Sequence, residues 1–329
     1  VARLGGDEFS IVLDSIQDGM FAAETAERCL ALKQQAIKVG NQSILPRMSI
    51  GIAIYPQDGE DADTLLRSAD AAMYSAKQNG KHSFAFYDAQ MTADAAERLE
   101  LESDLRKALE NNEFKLVYQP KVSVIDERVA GVEALIRWIH PVRGFVSPDN
   151  FIDTAERIGL INEIGEWVIE TASLQQQQWK AQGLQLEMAV NVSSSHFSSD
   201  NFVQYVESIQ QRYDIKDGEL EIEITESMSR DTAKHINVCK ELHQKGIKVA
   251  IDDFGTGYSS LSVLKQLQVN TLKVDRSFIQ HLPDDESSAL MVKAIVAMGL
   301  GLGFDIVAEG VETEAQTLFL RQLGSPYIQ

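Results

Sequence analysis

From Phe114 onward, short apolar runs recur with room for about one helix between successive runs, and this spacing most constrains the fold. The runs are Phe114 to Ser123, Val129 to Trp138, Leu186 to Val192, Leu220 to Thr225, Lys248 to Asp252, Thr271 to Val274, Asp305 to Glu309, and Tyr327 onward. Each has strand length, and most intervening stretches carry helical periodicity. Eight strands alternating with helices predict an α/β chain closed as a (β/α)8 barrel. The first two strands depart from that pattern. Only the polar turn Ile125-Asp126-Glu127-Arg128 separates them, so they are expected to form an antiparallel hairpin.

The polar residues at the strand ends matter next. In a barrel of parallel strands the C-terminal ends share one rim, where such barrels do chemistry. That brings Glu133, Asn191, Glu223, Asp252, Asp253 and Glu309 to one place. Taken singly, an acid at a strand end is a solvated loop residue or a helix N-cap. Asp252-Asp253-Phe254-Gly255-Thr256-Gly257-Tyr258, taken singly, is a Gly-rich turn. Recurrence on strand after strand argues for a shared site. So many carboxylates repel one another and raise each other's pKa unless a cation neutralises them. All-oxygen donors suit Mg²⁺ or Mn²⁺. Adjacent acids can serve two ions about 3.5–4 Å apart, an arrangement suited to phosphodiester displacement.

Composition narrows the partners. The 329 residues carry a formal net charge of −19, which argues against a broad basic surface for DNA or anionic membrane. A nucleotide substrate remains compatible, because carboxylates bind metals and metals bind phosphate. Cys29 and Cys239 are far apart and read as free thiols in a reducing compartment. No apolar run approaches the roughly 20 residues of a membrane span.

Residues 1–88 are expected to form a separate β–α–β–α–β unit. Its elements are a strand Ser10 to Leu13 after the Gly5-Gly6 turn, a helix around Phe21 to Val39, and a strand Arg47 to Tyr55. A helix Ala62 to Asn79 follows, C-capped by Gly80, with Leu65, Leu66, Ala69, Ala72 and Met73 on one face. The strand Ser83 to Tyr87 closes the unit. Residues 89–112 read as a connecting helix and 113–329 as the barrel unit. The chain opens and stops inside strand-like sequence, so it reads as a fragment cut at both ends. The barrel is then expected to be unclosed and poorly stable, with Gln329 held by nothing beyond it.

Several motifs together resemble the EAL family of cyclic-di-GMP phosphodiesterases. They are Tyr118-Gln119-Pro120, Glu133-Ala134-Leu135 within Gly131 to Trp138, Asn191-Val192-Ser193 and Glu223-Ile224-Thr225-Glu226. Asp252-Asp253-Phe254-Gly255-Thr256-Gly257, Lys273-Val274-Asp275 and Glu309-Gly310-Val311-Glu312 continue the family's order. The resemblance implies a barrel with an antiparallel first strand and hydrolysis of cyclic di-GMP to linear pGpG with two Mg²⁺ or Mn²⁺ ions. Glu133, Asn191, Glu223, Asp252 and Glu309 are then expected as metal ligands, with Asp253 shared with the second ion. Lys273 is expected to position or activate the attacking water, and Glu226 to hold the Asp252–Tyr258 loop. Arg137 is expected to contact phosphate, and Gln119, Leu135, Glu312 and Gln329 to line the substrate pocket. Ca²⁺ is expected to inhibit, because its looser coordination fits a two-metal displacement poorly.

The N-terminal piece resembles the second half of a GGDEF diguanylate cyclase domain, through Gly5-Gly6-Asp7-Glu8-Phe9 and Ala72-Met73-Tyr74-Ser75-Ala76-Lys77. The Gly5-Gly6 turn would admit a guanine nucleotide, and Glu8 would be a metal ligand or catalytic carboxylate. No cyclase activity is expected of the fragment; GTP binding or cyclase activity belongs to an intact parent. Two alternatives to hydrolysis stand beside it. One is a receptor that binds cyclic di-GMP without cleaving it; such receptors lose a ligand or the Asp-Asp-Phe-Gly loop, and both are present here. The other is a diguanylate cyclase in the parent. The resemblance also implies a cytoplasmic location and a homodimer through the EAL unit, with any membrane anchor lying upstream.

Overall fold

The computed structural model describes residues 1–14, 19–31, 37–39, 42–44, 48–78, 82–88, 100–226, 232–255, 261–325 and 327–329. The chain divides after Ser103 into two units, Val1–Ser103 and Asp104–Gln329.

The first unit opens with an antiparallel hairpin, Ala2–Gly5 against Glu8–Ser10, turning through Gly6 at φ +53°. The strand thus ends at Ser10 instead of beginning there. The helix expected to reach Val39 is Gly19–Ala31, and Ile37–Val39 is instead a strand paired with Gln42–Ile44. β-Branched Ile37 and Val39 flank a Gly40-Asn41 dipeptide, which favours a hairpin over a continued helix. Strands Ile50–Ile52 and Phe84–Phe86 are parallel, joined through the helix Ala62–Gln78. Gly51 is required there: a Cβ would lie 1.9 Å from the Ala69 carbonyl. The buried face of that helix is Ser68, Ala72 and Ala76, whereas Leu66 is exposed. Arg47, Asn79 and Gly80 lie outside the described residues, as do residues 89–99 of the connecting helix; residues 100–108 are helical.

The second unit is a barrel of eight strands: β1 Phe114–Ser123, β2 Val129–His140, β3 Glu187–Asn191, β4 Leu220–Thr225, β5 Lys248–Phe254, β6 Thr271–Val274, β7 Asp305–Ala308 and β8 Tyr327–Ile328. β2 to β8 pair in sequence as parallel neighbours, and β1 runs antiparallel to both β8 and β2. The ring is closed, which corrects the expectation of an open barrel. Two residues suffice: Tyr327 and Ile328 pair with Val307 and Ala308 on one side and with Ser123 and Val122 on the other. Gln329 is also held, its N–H donating to Ala308 O at 2.9 Å and its carbonyl accepting from Val311 N at 3.1 Å.

One side of each strand is apolar and covered by helices. Val190, Ile222, Ile224, Ile251, Leu272 and Ile306 are fully or nearly fully buried, each contributing about 1.5–3 kcal/mol by leaving water. The helices Ile161–Ala181 and Glu286–Leu302 bury Ile164, Val168, Ile169, Val292 and Ile295. Gly159, Gly303 and Gly324 end helices in the left-handed conformation that L side chains resist.

Pairing of β3 with β2 stops at Ala134, but the β1–β2 hairpin continues to Phe114 and Trp138. A wall of β1 and β2 therefore rises beyond the ring, and the short strand Gly144–Val146 pairs with its top at Trp138 to His140. Phe114, Trp138, Phe151 and Trp167 support it, with ring centroids 5.6–6.0 Å apart. Trp138 Nε1 donates to Glu113 at 2.9 Å.

Candidate active site

The other side of the strands points into the ring and carries an ionic cluster. Lys273 on β6 is 1% exposed, and its ammonium touches four carboxylates. The distances are 2.6 Å to Glu309, 2.7 Å to Glu223, and 3.1 Å to both Glu133 and Asp252. Those acids come from β2, β4, β5 and the end of β7, so strand pairing brings residues far apart in sequence to one point.

Further side chains complete the cluster. Asn191 ends β3 and donates to Glu133 Oε1; Gln329 Nε2 donates to Glu133 Oε2. Between Ile251 and Phe254 the β5 strand advances three residues while β6 advances two, a bulge that contains Asp252 and Asp253. Adjacent strand residues ordinarily face opposite ways, and a bulge re-aims one of them. Asp253 sits at φ +54°, and its N–H donates to Asp252 Oδ1 at 2.9 Å. As a result Asp252, Asp253 and Glu309 each bring an oxygen within 4.8 Å of the others, a spacing a cation can bridge. Glu226 accepts from Gly255 N at 2.9 Å and so ties β4 to the turn after the bulge. Gly255 is obligatory, with φ +104° and the Phe278 ring 2.7 Å from where a Cβ would stand. Thr256, Gly257 and Tyr258 lie outside the described residues.

Electrostatics divide these acids. Burial and the neighbouring acids push Glu133 and Asp252 up, against Lys273. Burial raises Glu309 to about 7, against the pull of Lys273. Burial and Asp275 raise Asp253. Burial acts to raise Glu223 too, but Lys273 and Lys121 outweigh it and hold the group at about 2. Burial opposes the charge on Lys273, yet its four acidic neighbours keep it well above the ordinary lysine value. The cluster is an excess of anionic oxygen around one ammonium, chemically matched to hard divalent cations.

Gln119 is exposed opposite Glu133 in the β1–β2 register. Leu135 and Arg137 follow Glu133 at two-residue steps up the wall, on the same face as Glu133. Arg137 donates to its neighbour's carbonyl, Ile136 O, at 2.9 Å. Glu312 is exposed before the helix Glu314–Leu323. Among the described residues, neither Arg137 nor Glu312 bonds through its side chain to the cluster. In the first unit, Gly5, Gly6, Asp7, Glu8 and Phe9 form an exposed hairpin end, with the Arg3 guanidinium 5.9 Å from the Phe9 ring.

Three residues in the ring have no counterpart among the expected site residues. Lys121 on β1 is buried, 2.7 Å from Glu221 and 2.9 Å from Glu223, and Thr271 donates to Glu221. Their signal was alternation: Lys121 follows Gln119, and Glu221 precedes Glu223, each by two residues.

Comparison with known proteins places the chain in a family. The EAL domain family model matches residues 102–329, and that of the diguanylate cyclase GGDEF domain matches residues 1–83. The chain is 42% identical, over its full length, to 48% of the bifunctional diguanylate cyclase/cyclic di-GMP phosphodiesterase MucR of Pseudomonas aeruginosa. It is 35% identical, over 98% of its length, to 49% of the cyclic di-GMP phosphodiesterase PdeR of Escherichia coli. The chain thus spans about half the length of these relatives. Among solved structures, a PaMucR phosphodiesterase complex with c-di-GMP is 44% identical with a TM-score of 0.68, covering 70% of this chain and 94% of that one. The chain therefore belongs to the EAL domain family, with a GGDEF segment ahead of its barrel.

Proposed function

We propose that the barrel holds two divalent cations, Mg²⁺ or Mn²⁺, and hydrolyses cyclic di-GMP to linear pGpG. The observation that carries this reading is the convergence of Asp252, Asp253 and Glu309 oxygens beside the acids gathered by Lys273. Glu133, Asn191, Glu223, Asp252 and Glu309 are the proposed ligands, with Asp253 shared with the second ion. Bound there, the ions supply Lewis acidity toward a phosphodiester.

The chain's own residues do the rest. Lys273 is a permanent cation at the centre of the cluster, and it orients the attacking water by N–H donation. The water oxygen bonds to phosphorus and gives up a proton, the bond from phosphorus to the ribose 3′ oxygen breaks, and that oxygen takes a proton. Arg137, on the wall above the ring, receives a phosphate in its guanidinium fork. Gln119, Leu135, Glu312 and Gln329 line the substrate cleft. Glu226 fixes the turn that carries the paired aspartates. The names of MucR and PdeR, both cyclic di-GMP phosphodiesterases, support the substrate.

The test is incubation with cyclic di-GMP and Mg²⁺ or Mn²⁺, with pGpG separated by chromatography. Chelation should abolish turnover and Ca²⁺ should inhibit it. No pGpG from the metal-loaded protein, alongside tight cyclic di-GMP binding, would convert the reading to a receptor. For the longer protein we propose a cytoplasmic location, a homodimer through the EAL unit, and GTP contact at the Gly5–Phe9 hairpin. Among the described residues of this chain, no helix is long and apolar enough to cross a membrane.

A further inference from the structure

We propose that Lys121, paired with Glu221, selects which divalent cation the site accepts by withholding one oxygen of Glu223. The proposal rests on the metal reading above. Lys121 lies in the ring below the cluster and is 3% exposed. Its ammonium is 2.7 Å from Glu221 Oε2 and 2.9 Å from Glu223 Oε1. Glu221 Oε1 accepts from Thr271 Oγ1, so both oxygens of that acid are engaged.

Glu221 and Glu223 stand on the same face of β4, with Glu223 nearer the rim by about 6–7 Å of strand rise. The Glu223 oxygen bonded to Lys121 is therefore turned down the barrel toward Glu221. The other, Oε2, is turned toward Lys273 and the rim, at 2.7 Å from that ammonium. Glu223 is thus presented to the rim by one oxygen only. Mg²⁺ takes near-octahedral single-oxygen ligands, whereas Ca²⁺ takes six to eight oxygens and commonly grips carboxylates by both. An acid locked into one-oxygen presentation favours the smaller ion. Lys121 acts through Glu223 and is a positioning residue.

The experiment compares Mg²⁺ and Ca²⁺ dissociation constants by calorimetry on the full chain without substrate. The variant is Lys121→Met combined with Glu221→Gln, which removes a buried cation and a buried anion together and leaves the net charge unchanged, with Lys273 still on Glu223. The ratio of the Ca²⁺ to the Mg²⁺ constant is expected to fall by about tenfold or more, through tighter Ca²⁺ binding. Lys121→Arg, which keeps the donor, is expected to preserve the wild-type ratio. A purely structural role would lower the melting temperature and leave the ratio in place. A folded double variant whose ratio falls by less than that overturns the proposal. If the double variant does not fold, Lys121→Met alone, with Glu221 able to take up a proton, decides by the same ratio: a fall of about tenfold is expected and a smaller one overturns the proposal. Failure of the wild-type chain to bind either ion is a separate result, because it removes the metal reading itself.

Discussion

Replacing Lys273 with Met tests how the cluster is held together. The substitution keeps the side chain's length and removes one charge that lies within 3.1 Å of four carboxylates. Each contact corresponds to about 5 kcal/mol of Coulomb energy at an effective dielectric near 20. Desolvation of the ammonium cancels much of that sum, and losing one partner of a buried ionic group costs about 3–5 kcal/mol net. In a unit of this size, 1 kcal/mol moves the melting temperature by about 2–4 °C, so the barrel's transition should drop by about 6–20 °C without metal. The loss should also depend on pH. The abandoned acids, already raised by burial, would take up protons in the folded state and relieve their repulsion. The folded variant then binds more protons than the unfolded chain, so its deficit is small at pH 5 and large at pH 8. Mn²⁺ should restore much of the lost stability, while turnover stays about 10²–10⁴-fold down because the water is no longer oriented. Calorimetric melts at both pH values, with and without Mn²⁺, read all of this. A metal-free drop below about 3 °C at pH 8, or a deficit equal at both pH values, would refute the counter-charge role of Lys273.

Further outcomes follow from the same cluster. Burial holds Glu309 at about 7, above its unfolded value, so the metal-free protein loses that contribution to stability as pH rises from about 4.5 through 7. Cation uptake needs the carboxylate, so Mg²⁺ affinity should rise with pH to about 7 and then level; calorimetry at pH 6 in buffers of different ionisation enthalpy should detect proton release, and none would count against it. Gly255→Ala should cost about 1–3 kcal/mol, since its φ of +104° and the Phe278 ring both oppose a Cβ, and pGpG formation should fall further than the melting temperature implies. Glu226→Ala should leave the Gly255 N–H without its acceptor, at about 1–3 kcal/mol, and weaken Mn²⁺ binding measured by calorimetry; unchanged binding would detach Glu226 from the aspartate turn.

Much of the rim was legible because a polar residue ending an apolar strand stands out against its neighbours. Asn191, Asp252 and Glu309 carry that signature, whereas Glu133 and Glu223 lie within β2 and β4, and the structure brings all five together. The lower ionic layer was not legible in the same way. Lys121 and Glu221 lie inside strands, where hydropathy alone assigns a charge to solvent; only their two-residue step from rim residues marks them, and Thr271 beside them, as inward. Closure of the ring was not legible either. A chain that stops just inside its eighth strand suggests an open barrel, whereas pairing on both sides lets Tyr327 and Ile328 bridge β7 to β1. In the first unit, the helical reading through Val39 followed apolar spacing and overrode the β-branched residues that made Ile37–Val39 a strand.

The reversed direction of β1 has a consequence for how the barrel is threaded. In a ring whose strands all run one way, the chain would enter at the floor and meet the chemistry only after crossing it. Here Phe114 pairs with Trp138 at the top and Val122 with Val129 at the bottom, so the polypeptide enters from the side of the acid cluster and descends. On its way down it delivers Gln119 beside Glu133 and Lys121 beside Glu223. The segment before Phe114 is thus a handle on the strand that reaches both the cleft and the layer beneath it. A pull or twist on that handle acts on the acids of the cluster through a single element.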